Sequence, residues 1–176
     1  MIVFLGDSLT AGNAWDKAFP GLTLKNLGLN GDTWAGVWCR LDEVLALEPD
    51  LIFLQIGIND FLRGAPPEEI AVGHLKIWGE LTEKSPKAAL CVISLLPYME
   101  ELLPGLQPNL DIMDINRRLA EEAAGRGLEF IDLFSLLADP DQQLPAKYTT
   151  DGVHLSPAAY RIWEGRLRPV LESLSA

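Results

Sequence analysis

A chain of 176 residues, 48% of them hydrophobic, can bury one substantial core, and a single domain over residues 1–176 is expected. The formal charge of −11 excludes nucleic acid and anionic membrane surfaces as main partners, because phosphate binding needs clustered Lys and Arg. No apolar stretch approaches the roughly 20 residues of a membrane span, and Met1 runs straight into Ile2-Val3-Phe4-Leu5 without a basic stretch, so the expected location is the cytoplasm.

The first apolar run, residues 2–6, reads as a strand and stops at Gly6-Asp7. A second strand is expected over 22–27. Trp34, Val37, Trp38, Leu41, Val44 and Leu45 then recur at helical spacing. Residues 51–56 form a nearly continuous apolar strand, as expected where both faces of a parallel sheet are covered. Ala71, His74, Leu75 and Trp78 mark a second helix, followed by a strand at 89–95. Residues 97–108 hold three prolines and a glycine and read as a loop bordering a pocket. Ile112, Ile115 and Leu119 mark a third helix, which Gly125 and Gly127 end, before a strand at 128–133. The last helix opens at Ser156-Pro157, an N-cap followed by proline at N1, and carries Tyr160, Trp163 and Leu167.

Strands alternating with helices imply an α/β fold: five parallel strands between helical layers, joined by right-handed crossovers. The expected strand order is the flavodoxin-like 2-1-3-4-5. Helical phasing places Trp34, Trp38, Trp78 and Trp163 in the core. Cys39 and Cys91 sit in apolar contexts with neither CxxC spacing nor a His neighbour. Buried free thiols are expected there, and neither a disulfide framework nor a zinc site.

In such a sheet, ligands bind beyond the carboxyl ends of the strands near the switch point between strands one and three. Ser8 follows strand one, Gly28 and Gly31 follow strand two, and Asn59 follows strand three. Ser8 is the candidate nucleophile, and a serine hydroxyl needs a base within hydrogen-bond reach. The chain offers two histidines. His74 lies mid-helix on an apolar stripe and reads as a packed side chain. His154 lies in the loop before the last helix, with Asp151 placed to accept its Nδ1–H and stabilise the imidazolium. Donors for a developing oxyanion are the Ser8 N–H, the Gly31 N–H and the Asn59 side-chain amide. Gly28 reads as turn chemistry. Asp7 and Asp60 read as braces that accept backbone hydrogen bonds.

Four blocks in order, GDSLT at 6–10, NLGLNGDT at 26–33, GIND at 57–60 and DGVHLS at 151–156, resemble those of the SGNH hydrolases, also called the GDSL family of esterases and lipases. The resemblance spans nearly the whole chain. It implies a three-layer α/β/α fold and a two-step acyl-enzyme mechanism needing neither metal nor organic cofactor. By position it makes Ser8 the nucleophile, His154 the base and Asp151 its partner. Ser8 N–H, Gly31 N–H and Asn59 become the oxyanion hole. The family varies between strand four and the last block. In this chain Tyr98, Met99, Leu102, Leu103 and Leu106 make that loop apolar, and Tyr98, Met99 and Leu102 are candidate acyl-binding residues, with anchoring of the loop to the core as the alternative. A small soluble ester or short acyl chain is the expected substrate.

Three rival readings stand beside this one. A flavodoxin-like binding module would use Ser8-Leu9-Thr10-Ala11-Gly12-Asn13 as a phosphate loop, but it leaves Asn59, Asp151 and His154 without work. A silent binder of acyl or carbohydrate ligands would keep the fold without turnover. An acyltransferase would pass the same acyl group to an alcohol other than water.

Overall fold

The computed structural model describes residues 1–173. Five parallel strands form one sheet in the order β2-β1-β3-β4-β5. They are β1 (Ile2–Gly6), β2 (Leu24–Gly28), β3 (Leu51–Gln55), β4 (Ala89–Ile93) and β5 (Glu129–Ile131). Register pairs Gly6 with Gly28 on one side and with Gln55 on the other. The segments leaving β1, β2 and β3 therefore emerge side by side at one rim.

Between the strands run α1 (Ser8–Ala11), α2 (Trp15–Ala18), α3 (Trp34–Cys39), α4 (Leu41–Leu45), α5 (Ile58–Leu62), α6 (Pro67–Lys84) and α7 (Asn109–Gly125), and after β5 come α8 (Phe134–Leu137) and α9 (Pro157–Ser173). Every residue of β1 and β3 is buried, because helices cover both faces of the sheet. On one face Phe4 stacks on Trp15 with ring centroids 4.3 Å apart, and Trp15 meets Trp163 of α9 edge-on at 5.2 Å. On the other face α3, α4 and α7 pack around α6.

Several boundaries differ from the sequence reading, each for a physical reason. β2 starts at Leu24 and reaches Gly28; it is an edge strand without a fully buried residue, so its apolar signal is weak. β4 ends at Ile93 because side chains take over its ladder. Ser94 Oγ accepts from the N–H groups of Leu133 and Phe134 at 3.0 Å, and Leu95 N–H donates to Asn116 Oδ1 at 2.8 Å. The same Ser94 bonds shorten β5. The stripe from Trp34 to Leu45 is two helices, broken at Arg40, where φ is −119° and ψ is 18°. The break turns Trp38 (37% exposed) and Cys39 outward, so neither is a core residue, whereas Trp78, Trp163 and Cys91 are buried and Trp34 half-buried. Among the described residues no helix is long and apolar enough to cross a membrane.

Candidate active site

Ser8 stands in the single turn of α1, directly beyond β1. Asp7 caps that turn through its side chain, which accepts from the Leu9 N–H at 2.9 Å. The Ala11 and Gly12 N–H groups donate to the carbonyls of Asp7 and Ser8 at 2.9 Å. The Ala11 and Gly12 amides are thereby taken up within the turn, and Thr10 is buried. The turn lies so close on β2 that a Cβ at Gly28 would run into the Ala11 backbone. Close approach, not turn chemistry, requires that glycine. Trp15 Nε1–H donates to the Thr10 carbonyl and the Tyr160 hydroxyl to the Leu9 carbonyl, both at 2.8 Å, fixing the turn from α2 and α9.

The loop after β2 is laid beside the β1 exit by the Leu29 N–H, which donates to the Gly6 carbonyl at 3.0 Å. Gly31 takes φ +75°, a left-handed conformation natural to glycine. Asn59, in α5 beyond β3, donates one Nδ2 proton to the Asp32 carbonyl at 2.9 Å, leaving its second proton for a ligand. The backbone N–H groups of Ser8 and Gly31 have no acceptor among the described residues. Three donors thus come from the three neighbouring strand ends. Arg63 steadies the loop from outside, donating to the Gly31 carbonyl at 3.1 Å.

His154 reaches the site from the loop before α9. Its Nε2 lies 2.9 Å from Ser8 Oγ, and its Nδ1 lies 2.7 Å from Asp151 Oδ2. A carboxylate can only accept, so Nδ1 carries the proton and Nε2 accepts from the serine hydroxyl. Asp151 Oδ1 also accepts from the His154 and Val153 N–H groups at 2.8 and 3.0 Å. Partial burial acts to raise the Asp151 pKa, but the hydrogen bonds from the His154 ring, the His154 N–H and the Val153 N–H outweigh it and hold the carboxyl below its ordinary value. The loop itself hangs on Thr149 Oγ1, which accepts from the Gly152 N–H at 2.8 Å and donates to the His154 carbonyl at 2.9 Å. Both side chains are about half exposed, which leaves the serine open to solvent and substrate.

The other histidine is excluded as a base by position. His74 is fully buried, its Nε2–H donates to the Ile56 carbonyl at 3.1 Å, and burial lowers its pKa to about 4. Among the described residues no cluster of three or more His, Cys, Asp or Glu side chains is placed to hold a metal ion.

The 97–108 segment divides. Tyr98 is 1% exposed and its hydroxyl donates to the Gln107 carbonyl at 2.6 Å, so it anchors the loop and presents no surface to an acyl chain. Met99 and Leu102 instead flank Gly152, beside Asp151, and the Met99 N–H donates to the Gly152 carbonyl at 2.8 Å. Leu102 is 54% exposed.

Asp7 and Asp60 accept backbone N–H groups, as expected, whereas their burial and the Arg40–Asp32 pair left no signal in the sequence. Asp60 accepts from the Trp34 N–H at 3.1 Å, tying α5 to α3, and burial pushes its pKa up to about 6. Arg40 pairs with Asp32 at 2.8 Å. Asp7 is wholly buried with one oxygen unpartnered, and burial, aided by the nearby Asp32 and Asp60 charges, pushes it up to about 7. In the unfolded chain Asp7 loses its proton near pH 4. The folded chain keeps it until about pH 7, so this group's favourable contribution is complete below pH 4 and is lost as pH rises to 7. The loss is on the order of 4 kcal/mol at most, at about 1.4 kcal/mol per unit. Asp7→Asn keeps a capping oxygen and does not ionise. In urea unfolding it gains on the wild type between pH 4 and pH 8; a difference that does not change with pH would contradict the buried, protonated state.

The model of the GDSL-like lipase/acylhydrolase family matches residues 4–162. The chain is 26% identical over 173 residues to an arylesterase from Vibrio mimicus, covering 90% of this chain and 81% of that protein. It is 27% identical over 165 residues to the human platelet-activating factor acetylhydrolase IB subunit alpha1, covering 90% and 70%. Its structure superposes with a TM-score of 0.88, at 30% identity, on a Streptococcus pneumonia protein described as a candidate platelet activating factor, covering 97% of this chain and 83% of that one.

Proposed function

The chain belongs to the GDSL-like lipase/acylhydrolase family, and from that premise we propose that it is a serine esterase acting on small carboxylic esters or short acyl groups in the cytoplasm. The observation that carries the reading is the hydrogen-bonded chain from Ser8 Oγ through His154 to Asp151. His154 Nε2 takes the Ser8 proton as Oγ attacks the ester carbonyl. Asp151 holds the tautomer and stabilises the imidazolium. The carbonyl oxygen, now negative, receives hydrogen bonds from the Ser8 N–H, the Gly31 N–H and Asn59 Nδ2. Each such donor is worth about 3 kcal/mol of barrier in comparable sites. His154 then hands its proton to the departing alkoxide, leaving an acyl-serine. Water then attacks the acyl carbon as His154 takes its proton; the tetrahedral oxyanion collapses, the bond from the acyl carbon to Ser8 Oγ breaks, and His154 returns the proton to Oγ as the acid leaves.

One further point supports a small substrate: the relatives named arylesterase and platelet-activating factor acetylhydrolase point to compact ester groups. The test is a series of p-nitrophenyl esters from acetate to decanoate. The expected result is a kcat/KM that is highest at two to four carbons, set with the ~1–3 kcal/mol sensitivity a pocket has to each methylene. A maximum at long chains would contradict the short-acyl reading, and no turnover of any ester would contradict the esterase.

A further inference from the structure

Arg40 is a largely covered cation that the steps above do not use. It sits at the break between α3 and α4, and its side chain is 13% exposed. Its Nε and Nη2 both lie 2.8 Å from Asp32 Oδ2, and Nη2 also donates to the Gly6 carbonyl at 3.2 Å. The Asp32 side chain is 6% exposed. Its other oxygen accepts from the Thr33 N–H at 3.0 Å and lies where a Cβ on residue 36 would sit, so α3 carries Gly36 there. The Asp32 backbone carbonyl holds Asn59 Nδ2.

One guanidinium therefore joins the residue following Gly31 to the residue two before Ser8, and through the Asp32 carbonyl it reaches Asn59. We propose that Arg40 is a positioning residue that sets the mutual spacing of the three oxyanion donors, Ser8 N–H, Gly31 N–H and Asn59 Nδ2. It touches no reacting atom. Its planar fork serves the Asp32 carboxylate and the Gly6 carbonyl at once, whereas a lysine offers a point charge that satisfies one of them. Donor placement in the transition state is sensitive at the scale of tenths of an ångström, so loosening this bridge costs rate rather than binding.

The proposal rests on the esterase reading, and the experiment separates the two. Steady-state kinetics on p-nitrophenyl acetate are measured for wild type, Arg40→Lys, Asn59→Ala and the double variant, with circular dichroism and unfolding midpoints. Absent turnover by the wild type overturns the esterase reading and this one with it. With an active wild type, Arg40→Lys keeps its fold and KM within about twofold while kcat falls about tenfold or more. Asn59→Ala alone lowers kcat by about 100-fold. The two losses do not multiply, because Arg40 acts partly through the Asn59 amide. A folded Arg40→Lys with wild-type kcat, a loss confined to KM, or losses that multiply in full overturns the positioning role. If Arg40→Lys does not fold, Asp32→Asn/Arg40→Met strands neither charge and is read by the same criteria.

Discussion

Ser8→Ala lowers kcat/KM for p-nitrophenyl acetate by about 10⁵-fold while the unfolding midpoint moves little. The rate expectation follows from the unit character of such sites, in which removing the nucleophile leaves only the acceleration from binding and oxyanion contacts. The stability expectation follows from the contacts. Ser8 Oγ is bonded to His154 Nε2, while the α1 turn is held by Asp7, by backbone bonds, and by Trp15 and Tyr160. Loss of a half-buried hydroxyl whose partner is itself half exposed falls within about ±0.5 kcal/mol. Retained activity would place the nucleophile elsewhere.

His154→Ala produces a loss of similar size, and Ser8→Ala/His154→Ala is no worse than either single variant. Without the imidazole the serine keeps its proton, and the departing alkoxide has no acid. A second histidine offers no rescue, because His74 is fully buried and bonded to the Ile56 carbonyl. Kinetics of the three variants check this, together with a pH profile of the wild type. A double variant whose losses multiply would mean that the two side chains act in separate steps. Asp151 is a less clean target, because its Oδ1 also holds two backbone N–H groups of its loop, so its removal mixes loop disorder with loss of orientation.

What could be read from the sequence depended on how local its signal was. β1 and β3 are continuous apolar runs, and their alternation with helices implied a doubly wound sheet, for which the flavodoxin-like order 2-1-3-4-5 was chosen and is the order observed. Ser8 and Asn59 were legible because each directly follows such a run. His154 stood out because histidine is rare in this chain and an aspartate lies three positions before it. β2 was misplaced because an edge strand of mixed polarity carries little periodicity. The helix break at Arg40 was invisible: the apolar stripe runs on through it, and the side chain's partners, Asp32 and Gly6, lie 8 and 34 residues away. The Tyr160–Leu9 bond spans 151 positions and leaves no local trace. Tyr98 read as either a pocket residue or a core anchor, because an apolar loop residue looks the same in sequence whether it faces ligand or core. Burial decided that it faces core.

An ester hydrolysed by this protein passes its acyl group through Ser8 Oγ. Intact-mass measurement of enzyme quenched in acid within milliseconds of mixing with p-nitrophenyl acetate tests it most directly, followed by peptide mapping. The expected result is a gain of one acetyl group, located on Ser8, absent in Ser8→Ala and accompanied by a matching burst of p-nitrophenol. Turnover by the wild type with an acetyl group on another residue, or with full activity retained in Ser8→Ala, would contradict it.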